Sequence, residues 1–402
     1  MANPFAREWN ELVATMRAFR ARIRFVFMNS RLVASLLFTA SVALAGCATR
    51  DDVSQAPAHP ALTAAEGRSL VGRLLPDGVA DRGGWATDIY AAIVALEIPA
   101  TAENICAVAA ITEQESGFRV DPQVPGLSAI ARKEIDKRRE GAGIPRLVLD
   151  AAFALPSSTG KSYSERLDAV KTERQLSDLF EDFIGKVPLG KTFLTDFNPV
   201  ATGGPMQVSV AFAEAYVARK TYPYPVSGTI RHEVFTRRGG MYFGIAHLLD
   251  YPAAYDRHLY RFADFNAGHY ASRNAAFQNA LTQASGIPLS LDGDLLRYEN
   301  GQAAKKPGNT ELAARVLARR LDLSEAQIRG DLELGKVRGF EQSRLYARVF
   351  ALVDKLAGKP APRAVLPKIQ LKSPKITRQL TSDWFANRVD GRYRACLARL
   401  NA

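Results

Sequence analysis

The feature that most constrains the fold is a helical apolar stripe that ends on a carboxylate. In the segment "ENICAVAAITEQESGF", Ile105, Val108, Ile111 and Glu115 recur at spacings that put the four side chains on one face of a helix. A carboxylate on a buried face costs free energy unless a partner or a reaction uses it. Glu113, two residues before Glu115, faces elsewhere and is expected in water. The stripe therefore predicts a buried helix with a paired or functional Glu115 at its end.

Similar helical periodicity recurs along most of the chain. The segment "GGMYFGIAHLLDYPAAYDRHLYRFADFNAGHYASRNAAFQNALTQASG" predicts three helices that stop at Pro252, Gly268 and Gly286. "SERLDAVKTERQLSDLFEDFIG" predicts one more helix, and Ser324 with Gln327 has the spacing of a capping box. With 402 residues, 47% hydrophobic and 23% charged, the chain is globular in composition. We predict a mainly α fold of two or so domains, or of one domain with a large extension.

The N-terminal residues 1–46 resemble an export signal rather than part of the fold. Arg31 precedes an apolar run, Leu32–Leu44, that is too short for a permanent membrane span. A start at Met28 would give a signal of ordinary layout. Residues 1–27 are therefore interpreted as an upstream mis-start or, alternatively, as a long basic extension of the signal.

The sequence "LAGC", which ends at Cys47, resembles the lipobox of bacterial lipoproteins. The resemblance implies cleavage before Cys47 and acylation (palmitate or a similar chain) of its sulfur and of the new amino terminus. More than one acyl chain gives stable anchoring in a bilayer. Because residue 48 is Ala and not the Asp of inner-membrane lipoproteins, we expect the outer membrane, facing the periplasm, with residues 47–63 as a tether. The alternative is a small apolar helix in which Cys47 is incidental.

Export also bears on the two remaining cysteines, Cys106 and Cys396. A disulfide can persist in an oxidising compartment. We predict that these two residues pair and thereby tie the C-terminus to the helix that carries Glu115. Two buried free thiols are the alternative interpretation.

The C-terminal residues from Lys359 onward are strongly basic, with ten Lys or Arg against two Asp, in a chain of formal net charge +12. Such a tail can meet anionic wall peptides or lipid headgroups, or it can be a solvated surface segment. A helix pair beside a basic tail also resembles DNA-binding helices. An exported lipoprotein has little access to DNA, so no nucleic-acid partner is expected.

Four short motifs occur in order: "ESGF" at a helix end, "GGPMQV" at a turn, "FGIAHLLDY" in a helix, and "FNAG" at a helix end. In this order they resemble the lytic transglycosylases of the lysozyme-like fold, over roughly residues 90–285. The resemblance implies a lysozyme-like domain at 64–288 with an insertion at about 121–197, which a surface loop-out can accommodate. It gives no account of residues 289–402. The full chain also resembles a family of uncharacterised bacterial lipoproteins with such a tail.

The resemblance assigns Glu115 as the general acid. The negative end of the helix dipole and partial burial both favour the protonated form of a carboxyl group, which suits this role. In the implied reaction Glu115 protonates the oxygen between N-acetylmuramic acid and N-acetylglucosamine, then accepts the muramoyl 6-hydroxyl proton, and a 1,6-anhydro sugar forms. The substrate acetamide stabilises the cation, so neither a cofactor nor a second carboxylate is needed. The alternative is a structural glutamate bonded to Arg119 or to a backbone amide.

The same resemblance implies a peptidoglycan-binding groove. Met206 and Gln207 would line it, and Gly203 and Gly204 would let the backbone approach the glycan. A simple turn before a helix is the alternative for these residues. Ser116 is either a glycan contact or an ordinary helix cap.

The "FNAG" motif is expected to complete the site. Asn266, four residues after Phe262, should face inward as a hydrogen-bond partner in the site or as a buried helix-end cap. Phe265 departs from the family pattern, in which a tyrosine reaches the catalytic carboxylate. Tyr242 or Tyr270 could supply a hydroxyl in its place.

Other chemistries find little support in the sequence. "LPSSTGKS" lacks the first glycine of a phosphate loop. His247, His258 and His269 recur every eleven residues, but proline and glycine breaks separate them, so no metal site is expected. Two other functions stay open: a non-catalytic peptidoglycan-binding envelope lipoprotein, and a hydrolase in which Asp264 or Glu233 positions water.

Overall fold

The computed structural model describes residues 62–186, 198–299, 301–371 and 380–401. The predicted signal, Cys47 and nearly all of the tether lie outside these residues. The described chain is mainly helical, with three small two-stranded sheets, which confirms the mainly α fold class. Among the described helices, none combines the length and the apolar character needed to cross a bilayer.

Three helices begin the described chain: α1 (Ala64–Leu74), α2 (Arg82–Ala95) and α3 (Ala102–Glu115). The hydroxyl of Thr101 caps α3 by accepting from the Asn104 amide at 3.3 Å, and Gly117 follows its end in a left-handed conformation with φ of 59°. The apolar stripe of α3 is fully buried, whereas Glu115 is half-buried. The helix therefore ends at the "ESGF" motif, as the sequence pattern predicted.

The residues between the first two motifs fold as a helical lobe that contains α4 (Leu127–Gly141), α5 (Arg146–Phe153), α6 (Tyr163–Ala169) and α7 (Glu173–Lys186). The single helix predicted here is two helices, because Val170 is extended and Thr172 caps α7 by accepting from the Gln175 amide at 3.2 Å. The hydrophobic core of the lobe includes Val200 and Phe235. The insertion therefore lies between the "ESGF" and "GGPMQV" motifs in sequence. It packs against residues before and after the "GGPMQV" motif.

The "GGPMQV" motif forms a tight antiparallel hairpin of β1 (Thr202–Gly203) and β2 (Val208–Ser209). Four helices follow: α8 (Val210–Val217), α9 (Ile230–Val234), α10 (Arg237–Leu249) and α11 (His258–Ala267). Every residue of α10 from Gly239 to Ala246 is buried. A helix enclosed on all sides belongs at the centre of a core, and α10 is that central helix.

A second hydrophobic cluster forms a C-terminal lobe around Phe277, Phe340 and Phe350. It contains α12 (Ala271–Ser285), the hairpin of β3 (Tyr298–Glu299) and β4 (Gln302–Ala303), α13 (Asn309–Val316), α14 (Ala318–Leu321), α15 (Glu325–Glu333) and α16 (Arg344–Ala357). Two short 3-10 turns, Leu334–Lys336 and Arg338–Gln342, precede α16. The predicted capping box of Ser324 and Gln327 is present at the start of α15.

The chain ends in a helix that returns to the first core. The strand β5 (Gln370–Leu371) pairs with β6 (Leu380–Thr381), which leads into α17 (Ser382–Ala398). The apolar face of α17 lies in the same cluster as α3 and α10. The predicted disulfide between Cys106 and Cys396 is present and joins α3 to α17 across 290 residues of sequence. The last helix therefore completes the core beneath the "ESGF" motif, although the motif resemblance gives it no role.

Candidate functional site

The last turn of α3, which carries Glu115, packs against the central helix. The Thr112 hydroxyl donates to the Val108 carbonyl at 2.9 Å and lies 3.8 Å from the sulfur of Met241 on α10. Ser116 is buried, and its hydroxyl donates to the Thr112 carbonyl at 3.1 Å. Of the two roles expected for Ser116, the structure therefore supports the helix cap. Glu115 lies three residues beyond the Thr112 contact, at the edge of the core.

The glycines of the hairpin are required by packing inside the protein. Gly204 is left-handed, with φ of 71°, and a Cβ there would collide with the Val234 carbonyl oxygen. A Cβ at Gly203 would collide with the Phe235 ring. The expectation that these glycines leave room for a glycan is therefore wrong, because protein atoms fill that room.

Met206 anchors the hairpin to α10 and does not line an open groove. Its side chain is fully buried, and a Cβ at Gly244 would overlap its sulfur. Pro205 packs in the same way against Gly240, one helical turn earlier. The expected contact between the Met206 thioether and a sugar face is therefore wrong. The glycine of the "FGIAHLLDY" motif creates the space that the methionine of the "GGPMQV" motif occupies.

Gln207 is the residue of the Gly204–Gln207 turn that keeps partial exposure. Its backbone is left-handed, with φ of 51°, a conformation that costs a non-glycine residue free energy. The side-chain nitrogen Nε2 of Gln207 donates to the Gly204 carbonyl at 3.4 Å. The Thr202 hydroxyl donates to the side-chain oxygen Oε1 of Gln207 at 3.4 Å. The side chain is therefore held at the surface of the turn, where a ligand can reach it.

The "FNAG" motif contacts the other end of α10. The ring nitrogen Nε2 of His247 lies 3.2 Å from the Phe265 carbonyl oxygen, and the two rings are 5.0 Å apart. Asn266 is exposed, so the expectation that it faces inward is wrong. The inward polar position near this helix end belongs to Asp264, because its carboxylate accepts from backbone amides at the start of the next helix.

Asp264 is fully buried and caps the start of α12. Its carboxylate accepts from the amides of Ser272 at 2.7 Å and Tyr270 at 2.9 Å, and from the hydroxyls of Tyr255 at 2.7 Å and Tyr251 at 3.2 Å. Burial raises the pKa of Asp264, and these hydrogen bonds oppose the shift. Both oxygens are occupied by structural donors, so the carboxylate is not available to position a water molecule.

The other groups considered for the chemistry are also engaged inside the protein. Glu233 is buried and accepts from the Tyr222 hydroxyl at 3.0 Å and the Ser227 amide at 2.8 Å. The Tyr270 hydroxyl donates to the Pro252 carbonyl at 3.1 Å. Both carboxylates considered for the hydrolase, Asp264 and Glu233, are therefore buried and bound by structural donors.

Tyr242 is buried in a cluster of aromatic rings. Burial raises the pKa of its hydroxyl. Its ring lies 5.3 Å from the ring of Tyr222, well inside the core. The structure therefore gives neither tyrosine considered as a replacement an exposed hydroxyl.

The histidines form part of the packing. The His247 and His269 rings stack at 4.6 Å, and Tyr251 stacks on His269 at 4.0 Å. Burial, together with the neighbouring His269, lowers the pKa of His247 to about 4. Burial also lowers the pKa of His258 to about 4. In the part of the chain that the structure describes, no three His, Cys, Asp or Glu side chains are placed to hold a metal ion.

Two arginines of α17 contact the last turn of α3, and the sequence analysis did not identify them. The Nε atom of Arg392 lies 3.3 Å from the Glu113 carboxylate, and the Arg388 Nε donates to the Gln114 side chain at 3.1 Å. Glu113 is therefore ion-paired, and its side chain stays 33% exposed. The spacing of 388, 392 and Cys396 by four residues could have revealed this face, since Cys396 was already expected to contact α3.

Comparison with known proteins assigns the chain to a family. Residues 78–399 match the family model described as "Protein of unknown function (DUF1615)". The chain belongs to the DUF1615 family. The DUF1615 region includes the insertion lobe, α10 and α17, so the C-terminal helix is part of the unit that defines the family.

A relative of this DUF1615 protein is the "Uncharacterized protein YaiW" of Escherichia coli (strain K12). The two sequences are 50% identical over 365 residues, which cover 91% of this chain and 98% of the relative. No solved structure matches the chain.

Proposed function

We propose that this protein is a lytic transglycosylase that cleaves the β-1,4 bond between N-acetylmuramic acid and N-acetylglucosamine in peptidoglycan. One observation carries the proposal: the separate motifs meet on one buried helix, α10. Met241 contacts the Glu115 helix, Gly244 receives Met206 of the hairpin, and His247 contacts Phe265 of the "FNAG" motif. Motifs distant in sequence thus form one assembly, as expected if they build a single site on a lysozyme-like framework.

The proposed chemistry uses Glu115 as both acid and base. The carboxylic acid donates its proton to the glycosidic oxygen as the bond to C1 breaks. The resulting carboxylate then takes the proton of the muramoyl 6-hydroxyl, whose oxygen bonds to C1. The product is a 1,6-anhydro sugar, no water is consumed, and Glu115 returns to its protonated form. The half-buried position of Glu115 at a helix end suits this role.

Among the expected substrate-binding residues, Gln207 and Asn266 have the exposure needed to contact a glycan directly. Gly204 and Met206 would act indirectly. They would pack the turn against α10 and so fix the position of Gln207 relative to that helix. Ser116 would hold the end of α3. The proposal therefore separates contact residues from residues that support the site.

The proposed location is the periplasmic face of the outer membrane, with acyl chains on Cys47 as the anchor. The proposal rests on the "LAGC" sequence and on Ala48. A lipid anchor followed by a short tether would keep the catalytic domain beside the glycan strands.

A second candidate function is a non-catalytic peptidoglycan-binding lipoprotein, and Phe265 favours it. A phenyl ring packed on His247 cannot provide the hydroxyl that the resembling enzymes present to their acid. The hydroxyls of Tyr242 and Tyr270 are held elsewhere in the core, so they do not compensate directly.

The test is the release of soluble fragments from purified sacculi. We expect wild-type protein to release them and Glu115→Gln to lower the rate by about 10²-fold or more, the usual contribution of a general acid. Glu103→Gln, the same substitution in the first turn of α3, is the matched control and should keep wild-type activity. Co-sedimentation with sacculi and no release by wild type would instead support the binding protein.

A further inference from the structure

Two exposed arginines are anchored at the end of α3, one from the loop that follows this helix and one from the C-terminal helix. The Nε atom of Arg119 donates to the Ser116 carbonyl at 3.0 Å, and the Nε atom of Arg388 donates to the Gln114 side chain at 3.1 Å. Their anchoring points are the residues directly after and directly before Glu115. Both guanidinium groups are therefore anchored at the end of α3, on residues next in sequence to the proposed acid.

Both guanidinium groups are held by Nε, which leaves their terminal amino groups available. Across the described ranges, neither Arg119 nor Arg388 forms an ion pair with a carboxylate. Arg392 on the same face of α17 differs, because its charge is matched by Glu113 at 3.3 Å. A guanidinium with free amino groups binds a carboxylate through two parallel hydrogen bonds.

The position of Arg388 is fixed by the packing of α17. The disulfide between Cys106 and Cys396 and the ion pair between Arg392 and Glu113 hold the helix against α3. The guanidinium of Arg388 also lies 5.5 Å from the Trp384 ring, within the range of a cation–π contact. These contacts restrict the side chain before any ligand arrives, which reduces the entropy lost on binding.

The end of α3 carries both the proposed acid and the two contacts that anchor the arginines. The peptides attached to wall glycan carry free carboxylates next to the sugar chain that Glu115 would cleave. A glycan strand bound at Glu115 would therefore bring its peptide carboxylates to the end of α3, where Arg119 and Arg388 are anchored.

We propose that Arg119 and Arg388 form a binding site for the carboxylates of the peptide stems on peptidoglycan and make the protein select peptide-bearing strands. The inference rests on the proposed function, since it names the part of the same substrate that is recognised. It also gives the C-terminal helix a role in specificity, which the motif resemblance does not assign.

The experiment measures binding of soluble glycan strands, with their stem peptides and after enzymatic removal of the peptides. For the double variant Arg119→Gln, Arg388→Gln we expect binding of peptide-bearing strands to weaken about tenfold, or about 1.4 kcal/mol. Binding of peptide-free strands should stay within about twofold, because an exposed arginine that has no partner carboxylate contributes little. Arg320→Gln, which removes an exposed charge in the C-terminal lobe, is the control and should change neither. Circular dichroism and thermal melting check that the variants are folded.

Vesicles that contain anionic phospholipid are tested beside the strands. Three outcomes would overturn the inference: an equal loss on both kinds of strand, an equal loss in Arg320→Gln, or a loss of binding to the vesicles alone. The last outcome would assign the arginines to lipid headgroups. Selective loss on peptide-bearing strands supports the site even if wild-type protein forms no anhydro product. That combination would contradict the proposed turnover alone, so the two claims fail separately.

Discussion

The Nε atom of Arg392 lies 3.3 Å from the Oε1 atom of Glu113, two residues before Glu115. This ion pair connects the last helix of the chain to the last turn of the helix that carries the proposed acid. Together with the Cys106–Cys396 disulfide, it makes two attachments between α17 and α3. The position of Glu115 therefore depends on residues almost three hundred positions later in the sequence.

The disulfide should contribute strongly to stability. Loss of the bond in Cys396→Ser should lower the free energy of unfolding by about 2–4 kcal/mol, because the bond closes a very long loop in the unfolded chain. Urea denaturation with and without reductant measures this. Reductant should shift the wild-type midpoint and leave that of Cys396→Ser unchanged. A wild-type midpoint that does not respond to reductant would contradict the prediction.

The ion pair between Glu113 and Arg392 should be measurable in a double-mutant cycle. Both side chains are partly buried, so we expect a coupling free energy of about 0.5–1 kcal/mol between Glu113→Gln and Arg392→Gln. The coupling should fall in high salt, since the pair is not fully shielded from solvent. Additive effects of the two substitutions on the free energy of unfolding would show that the contact adds nothing.

The hairpin should tolerate no side chain at Gly204. Gly204→Ala combines a left-handed backbone with a collision against the Val234 carbonyl, so we expect a loss of about 3 kcal/mol or more. Gly286→Ala is the matched control, because Gly286 has a similar φ of 73° but open space around it. Its cost should be about 1 kcal/mol, from the backbone alone. Equal thermal shifts for the two variants would rule out the collision.

Acidification should destabilise the fold through its buried histidines. The pKa of His247 is lowered by burial from 6.5 to about 4. Between these two pH values the unfolded state binds a proton at His247 and the folded state does not. The stabilising contribution is complete above pH 6.5 and is lost as the pH falls towards 4, by about 3 kcal/mol at about 1.4 kcal/mol per unit. His258 adds to this effect, whereas the raised pKa of Asp264 opposes it.

Urea denaturation at pH 7 and pH 4.5 measures this dependence. His247→Gln keeps a polar side chain beside the Phe265 carbonyl and removes the titrating ring. Its free energy of unfolding should therefore fall less between the two pH values than that of wild type. The same pH dependence in both proteins would show that His247 is not responsible.

Local sequence patterns predicted the features that depend on neighbouring residues. The break after Glu115 and the capping box of Ser324 are set within a few positions, so spacing was enough to find them. The disulfide was also predictable, because the proposed export to an oxidising compartment leaves two cysteines after Cys47, and two cysteines have one pairing available.

Contacts between distant segments were not predictable in this way. Met206 was expected at a surface, but Gly244 creates a buried space for it nearly forty residues later. Asn266 was expected to face inward because the helical pattern continues to it, whereas Asp264, two residues earlier, is the buried polar residue and caps α12. Arg388 and Arg392 were missed because the C-terminal residues were treated as a basic tail and not as a helix with a buried face.

The most direct test of the central claim is mass spectrometry of the products released from sacculi by wild type and by Glu115→Gln. The account predicts anhydromuropeptides from wild type, lighter by one water than reducing-end products, and almost none from the variant. Reducing-end products from wild type, or equal release by Glu115→Gln, would contradict the assignment of Glu115 as the acid of a lytic transglycosylase.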